Sequence, residues 1–198
     1  MLKEHTDLIR RLIESFIDHP QSLRIETSDR NGHVYFLMQC HADDHPKMVG
    51  KGGSHFHALR LIIAELGKQA EASYKLCRYQ EPEPAPRRER SASKMVTSYS
   101  PDDACRLMEA IFANLCAGQY AVEAEMNPAL RPLTYTINIT TRDSADYIAL
   151  TRYTSSTEHI PENAESPMTI IGAIGTLFRA YANRDGVRFS VQLKRPTS

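Results

Sequence analysis

The chain lacks net charge: its 24 lysines and arginines balance 24 aspartates and glutamates over 198 residues. That balance excludes broad attraction to a nucleic acid or a membrane surface, so a polyanion must be held by a local site. No segment approaches the roughly 18 consecutive apolar residues of a membrane span. The first eleven residues, MLKEHTDLIRR, are charged from the third onward and have no apolar core, which argues against a secretory signal and for a cytoplasmic protein. Cysteines number only four, Cys40, Cys77, Cys105 and Cys116, with no CxxC pair, and lie in apolar segments. Reduced thiols are expected. HExxH and Cys/His zinc spacings, a P-loop, a dinucleotide fingerprint and a GxSxG elbow are all missing, so no catalysis, cofactor or metal is expected. What remains, 41% hydrophobic and 24% charged, is ordinary globular composition, enough for one medium domain or two small ones.

Two halves share one plan. Apolar pairs fall at Leu8-Ile9, Leu12-Ile13 and Phe16-Ile17, a helical stripe closed by Pro20. They recur in the same phase at Leu107-Met108, Ile111-Phe112 and Leu115-Cys116, with Gly118 just beyond. LRIETS and HVYFLMQC then flank Asn31-Gly32, a strong hairpin signal, and YAVEAEM and LTYTINIT flank the longer connection NPALRP. Each half continues into helical sequence and closes on a strand, SYKLCRY or VRFSVQL. Both read helix, strand, strand, helix, helix, strand, a tandem repeat of one α+β domain. Residues 1–80 form the first and 101–198 the second. Residues 81–100 join them as a Pro/Arg/Ser-rich linker whose composition cannot repay the entropy of ordering. Its Arg87, Arg88 and Arg90 could serve as a basic arm.

In the first half, Gly50-Lys51-Gly52-Gly53 stand between a short helix ending near Val49, with Asp43 as its cap, and an apolar helix from Ser54 to about Ala70. A glycine cluster at a helix entrance lets something come close to the backbone. There the amides are unpaired and the helix dipole is positive, so a phosphate fits, and Lys51 adds a mobile charge.

Val49-Gly50-Lys51-Gly52-Gly53, followed by Phe56 and Leu59, resembles the core of a KH domain, whose mark is GxxG between two short helices. The helix-first order resembles the type II, prokaryotic KH topology, and VGKGG…ALR is similar to the small bacterial single-KH RNA-binding proteins of the KhpA-like family, over residues 1–80. The resemblance implies an α+β fold of two KH-like domains, each a three-stranded sheet covered by helices. It also implies a single-stranded RNA partner gripped by its backbone, with bases in an apolar groove. Carried over by position, Gly50, Lys51, Gly52, Gly53 and Ser54 form the clamp, and Met48, Val49 and Phe56 pack the loop or line the groove.

The second half departs from this pattern. Its own GxxG, Gly172 to Gly175, is too near the closing strand to precede a full helix, whereas Ser166-Pro167 makes a good helix start. Both glycines therefore belong inside a helix, and the corresponding loop, residues 155–165, is acidic and without glycine. This half reads as a degenerate KH-like domain, offering scaffold, homodimer or other protein contacts. The rival function is a protein-interaction module on KH-like folds with weak RNA binding or none. His41, Asp43, Asp44, His45, His55 and His57 crowd the glycine loop, but residues two apart on a helix diverge, so His55 and His57 do not share an ion.

Overall fold

A computed structural model of the chain describes residues 1–77, 100–127, 133–152, 168–182 and 187–195. Helix α1, Leu2–Glu14, presents Leu8, Ile9, Leu12 and Ile13 to the core. Strands β1, Arg24–Arg30, and β2, His33–Gln39, pair antiparallel through Asn31 (φ 54°) and Gly32 (φ 75°). Two left-handed residues make the turn whose twist matches the strands. Helices α2, His45–Val49, and α3, Ser54–Gln69, follow, and β3, Ser73–Leu76, returns parallel to β2. Phe36 and Met38 alternate inward from β2, the central strand of the sheet β1-β2-β3.

The second half repeats the order. Helix α4, Pro101–Leu115, opens with a capping box of Ser100 and Asp103. Strands β4, Tyr120–Asn127, and β5, Thr134–Thr141, pair antiparallel; α5, Ser144–Thr151, and α6, Ile170–Ala182, follow; β6, Arg188–Lys194, pairs parallel with β5. The protein is thus a mixed α+β chain with two three-stranded sheets of matching order. Gly172 and Gly175 lie inside α6. The hydroxyl of Thr169 accepts from the Gly172 amide at 3.0 Å, so the described start of α6 is held by a threonine. Ser166 and Pro167, the acidic loop 155–165 and the basic arm lie outside the described residues, as does nearly all of the linker.

A buried carboxylate stands at the same place in each half. The Asp18 and His19 amides donate to Asp44 at 2.7 and 2.8 Å, and those of Ala117 and Gly118 donate to Asp146 at 3.2 and 2.9 Å. Asp44 is 0% exposed and Asp146 8%. Each turns the chain out of the preceding helix by accepting from two part-buried amides that follow it. This is why α1 ends at Glu14, well short of Pro20, although Phe16 and Ile17 continue its apolar stripe into the core. The turn before α2 is capped by His41, whose Nδ1 accepts from the Asp43 amide at 3.3 Å, and not by the Asp43 side chain.

Between the halves, α3 packs on α6, and α1 and α3 pack on α4. Gln69 Nε2 donates to the carbonyl of Leu115 at 3.2 Å. His5, buried on α1, lies 3.3 Å from the Tyr74 hydroxyl; burial pushes its imidazole below the ordinary range, and the terminal amine adds to this. On α3, Ala58, Leu59, Leu61, Ile62, Ile63, Leu66 and Gly67 are all buried. At 100° per residue they sweep an arc of roughly 240°. That is far wider than the stripe a helix needs to cover one sheet. The four cysteines are free thiols, and burial, then Asp146, pushes Cys116 up to about 12. Among the described residues, no helix is long and apolar enough to cross a membrane.

Candidate functional site

The glycine turn is built by three left-handed glycines: Gly50 at φ 73° and ψ 172°, Gly52 at φ 60° and Gly53 at φ 81°. Gly50 ends α2, its amide donating to the Pro46 carbonyl at 2.9 Å, and Gly53 donates to the Gly50 carbonyl at 3.1 Å. Ser54, half-buried, donates its amide to the Lys51 carbonyl and starts α3. The amides of Lys51 and Gly52 make no hydrogen bond among the described residues. Both residues are exposed, and a Cβ placed on Gly52 or Gly53 would meet nothing within 4 Å. The turn therefore offers two free donors and an uncovered backbone to an incoming acceptor, at the mouth of a 16-residue helix.

Charge around the turn is sorted by ion pairing. Lys47 is held by Asp18, Nζ to Oδ2 at 2.6 Å, so its charge is locally cancelled. Lys51 makes no ion pair among the described residues and remains the mobile cation of the turn. His55 is committed: its Nδ1 lies 2.6 Å from the Lys47 carbonyl, tying α2 to α3. Burial, and then Arg60, pushes the imidazole of His57 below its ordinary range, so it adds no charge at neutral pH. Met48 is 1% exposed and packs the loop from inside, offering no surface to a ligand, whereas Val49 and Phe56 are half-buried beside the turn.

His55 and His57 belong to no group of three or more possible metal donors among the described residues. The donors that do converge are His41, Asp43 and His19, the last contributed by the turn after α1. His19 escaped the sequence reading because it lies 22 residues upstream of His41. The signal that could have found it is the repeat itself: Gly118 stands where the first half has His19, and the adjoining amides bind equivalent carboxylates.

No family model matches the chain, and no solved structure matches it. An exposed glycine turn between two helices, beside a three-stranded mixed sheet, defines the class of site. The chain is similar to proteins named RNA-binding protein KhpA. One, from Mycobacterium tuberculosis, is 31% identical over 62 residues, which span 31% of this chain and 76% of that protein. Another, from Oceanobacillus iheyensis, is 29% identical over 56 residues, spanning 28% of this chain and 75% of that protein. With that identity and coverage, the chain belongs to the KhpA family, through a segment that makes up less than a third of its length.

Proposed function

We propose that this protein binds single-stranded RNA through the glycine turn of its first, KH-like half and performs no catalysis. The observation that carries this reading is the pair of amides at Lys51 and Gly52, both on exposed residues and without a hydrogen bond among the described residues, with open space where a Cβ on Gly52 would stand. A phosphate oxygen accepts from these amides while the Lys51 ammonium neutralises its charge. Gly53 and Ser54 start α3, whose dipole adds to the attraction. Val49 and Phe56 give apolar surface against which bases lie, and Met48 fixes the loop from below. Relatives named as RNA-binding support the same partner.

In this reading the second half, 101–198, is a KH-like repeat without a clamp, because its two glycines are spent inside α6. It serves as scaffold, with α6 packed on α3 of the first half. Among the described residues of this half, Ile148 on α5, 61% exposed, and Met126 on β4, 51% exposed, are large apolar side chains open to a protein partner.

The test is the double variant Lys51→Asp, Gly52→Asp. Aspartate enters position 52 without collision, since open space surrounds it, and aspartate is among the residues that tolerate the left-handed region. Fluorescence anisotropy on a short single-stranded RNA should show affinity falling by at least about tenfold, equivalent to about 1.4 kcal/mol. Circular dichroism should stay that of the wild type. Wild-type affinity in the folded variant would reject the mechanism. Binding of the native protein should also weaken with salt along a shallow slope, because few phosphates are held.

A further inference from the structure

His19, His41 and Asp43 bring one donor atom each to within 4.8 Å of one another. The two imidazoles stack at 4.1 Å between centroids, and His41 Nδ1 lies 3.7 Å from Asp43 Oδ2. Behind them, Asp44 accepts from the ring of His19 at 3.1 Å through Nδ1. A fully buried carboxylate on one ring nitrogen fixes that nitrogen as the N–H and leaves Nε2 with the lone pair. Carboxylate, imidazole, then open lone pair is the arrangement that orients histidine ligands in metal sites.

The second half serves as an internal control. It keeps the buried carboxylate, as Asp146, and the two amides it satisfies, as Ala117 and Gly118. The helix cap is also present: Asp143 accepts from the Ala145 amide at 2.8 Å, as His41 does from Asp43 at 3.3 Å. What the fold needs at this corner is therefore met with glycine in place of His19, aspartate in place of His41 and alanine in place of Asp43. Histidine is a poorer cap than aspartate. The three donors of the first half exceed what folding requires.

We propose that His19, His41 and Asp43 form a three-donor site for a divalent transition-metal ion of the Zn²⁺ class, with Asp44 as the residue that orients His19. Two imidazoles and a carboxylate suit zinc and its neighbours, and three protein donors leave a fourth position for water. Ligand atoms around a tetrahedral zinc stand about 3.4 Å apart, as bonds of about 2.0–2.1 Å require. Closing from the present spacing asks the Asp43 and His41 side chains, 75% and 41% exposed, to turn, with His41 shifting from its stack on His19 and its bond to the Asp43 amide. The ion would tie the turn after α1 to the segment that leads into α2 and the glycine turn. This inference stands independently of RNA binding.

Full-length protein, stripped with chelator and then freed of it, is titrated with ZnCl₂ by calorimetry and with CoCl₂ by visible absorption, without RNA. One ion per chain is expected, with Co²⁺ giving the intense bands of a four-coordinate site and Zn²⁺ raising the melting temperature. In the variant His41→Asn, Asp43→Asn, asparagine preserves the cap, so the metal-free melting temperature should match the wild type while metal affinity falls at least about tenfold. His19→Gly, which copies the second half, should lose metal affinity likewise, while its metal-free melting temperature falls because the ring N–H to Asp44 is removed as well. Absence of stoichiometric binding would overturn the proposal. So would one bound ion whose affinity is unchanged in these variants, because it would then sit on other histidines.

Discussion

Gly50 and Gly52 are both left-handed, yet the surroundings make them respond differently to a side chain. A Cβ on Gly50 would lie 2.6 Å from His55 Cγ and 2.8 Å from the His55 amide nitrogen. The ring cannot retreat, since its Nδ1 is tied to the Lys47 carbonyl, and the backbone at φ 73° and ψ 172° belongs almost to glycine alone. Gly50→Ala should therefore destabilise the protein by about 3 kcal/mol, from dihedral strain and collision together. Gly52→Ala meets open space and should lose about 1–2 kcal/mol, the strain of a left-handed residue alone. Midpoints of urea denaturation for the two variants check this, and equal losses would contradict it. The comparison also separates two duties within one motif. Gly50 is needed by the fold, and Gly52 keeps the backbone uncovered.

At the scale of elements, the joint between the first helix and the segment before α2 depends on Asp44, and its counterpart in the second half on Asp146. Asp44→Ala would remove the acceptor of two part-buried amides and a ring N–H, a loss of about 3 kcal/mol; Asp146→Ala removes two such bonds, about 2 kcal/mol. Calorimetric melting of each variant would test this, and a neutral effect at Asp44 would show that water replaces the carboxylate. Such joints mark the boundary of what the sequence discloses. The helical stripes, the Asn31-Gly32 hairpin, the glycine turn and the placing of Gly172 and Gly175 in a helix were legible, because each is decided by neighbours a few residues away. The early end of α1 was not, since it follows from a carboxylate 25 residues downstream of His19. Asp43 read as a cap because aspartate commonly is one, but local geometry hands that role to the His41 ring. The commitment of His55 to Lys47 was equally invisible, being a contact between two helices. Met48, by contrast, suits either packing or a groove by its local sequence, and its burial comes from tertiary contacts.

For the whole molecule, the informative feature is the breadth of buried surface on α3. A helix lying on one sheet needs an apolar stripe of about 100°, and the remaining part of the roughly 240° arc on α3 has to be covered by something else. That cover comes from the second half, where α6 packs on α3 and α4 packs on both α3 and α1. A polar contact pins the arrangement: Gln69 Nε2 donates to the Leu115 carbonyl at the end of α4. The two halves accordingly share stability, and separating them should expose a continuous apolar face. Residues 1–80 produced alone should self-associate through α3, or unfold at a lower denaturant concentration than the full chain, because an exposed patch of this kind is rarely tolerated by a soluble monomer. Sedimentation and urea titration of the fragment would decide the matter. A monodisperse monomer as stable as the whole protein would mean that α6 adds nothing to the first half. If the fragment instead dimerises and still binds RNA, the glycine turn works without the second half, whose contribution is then to cover α3 and keep the chain single.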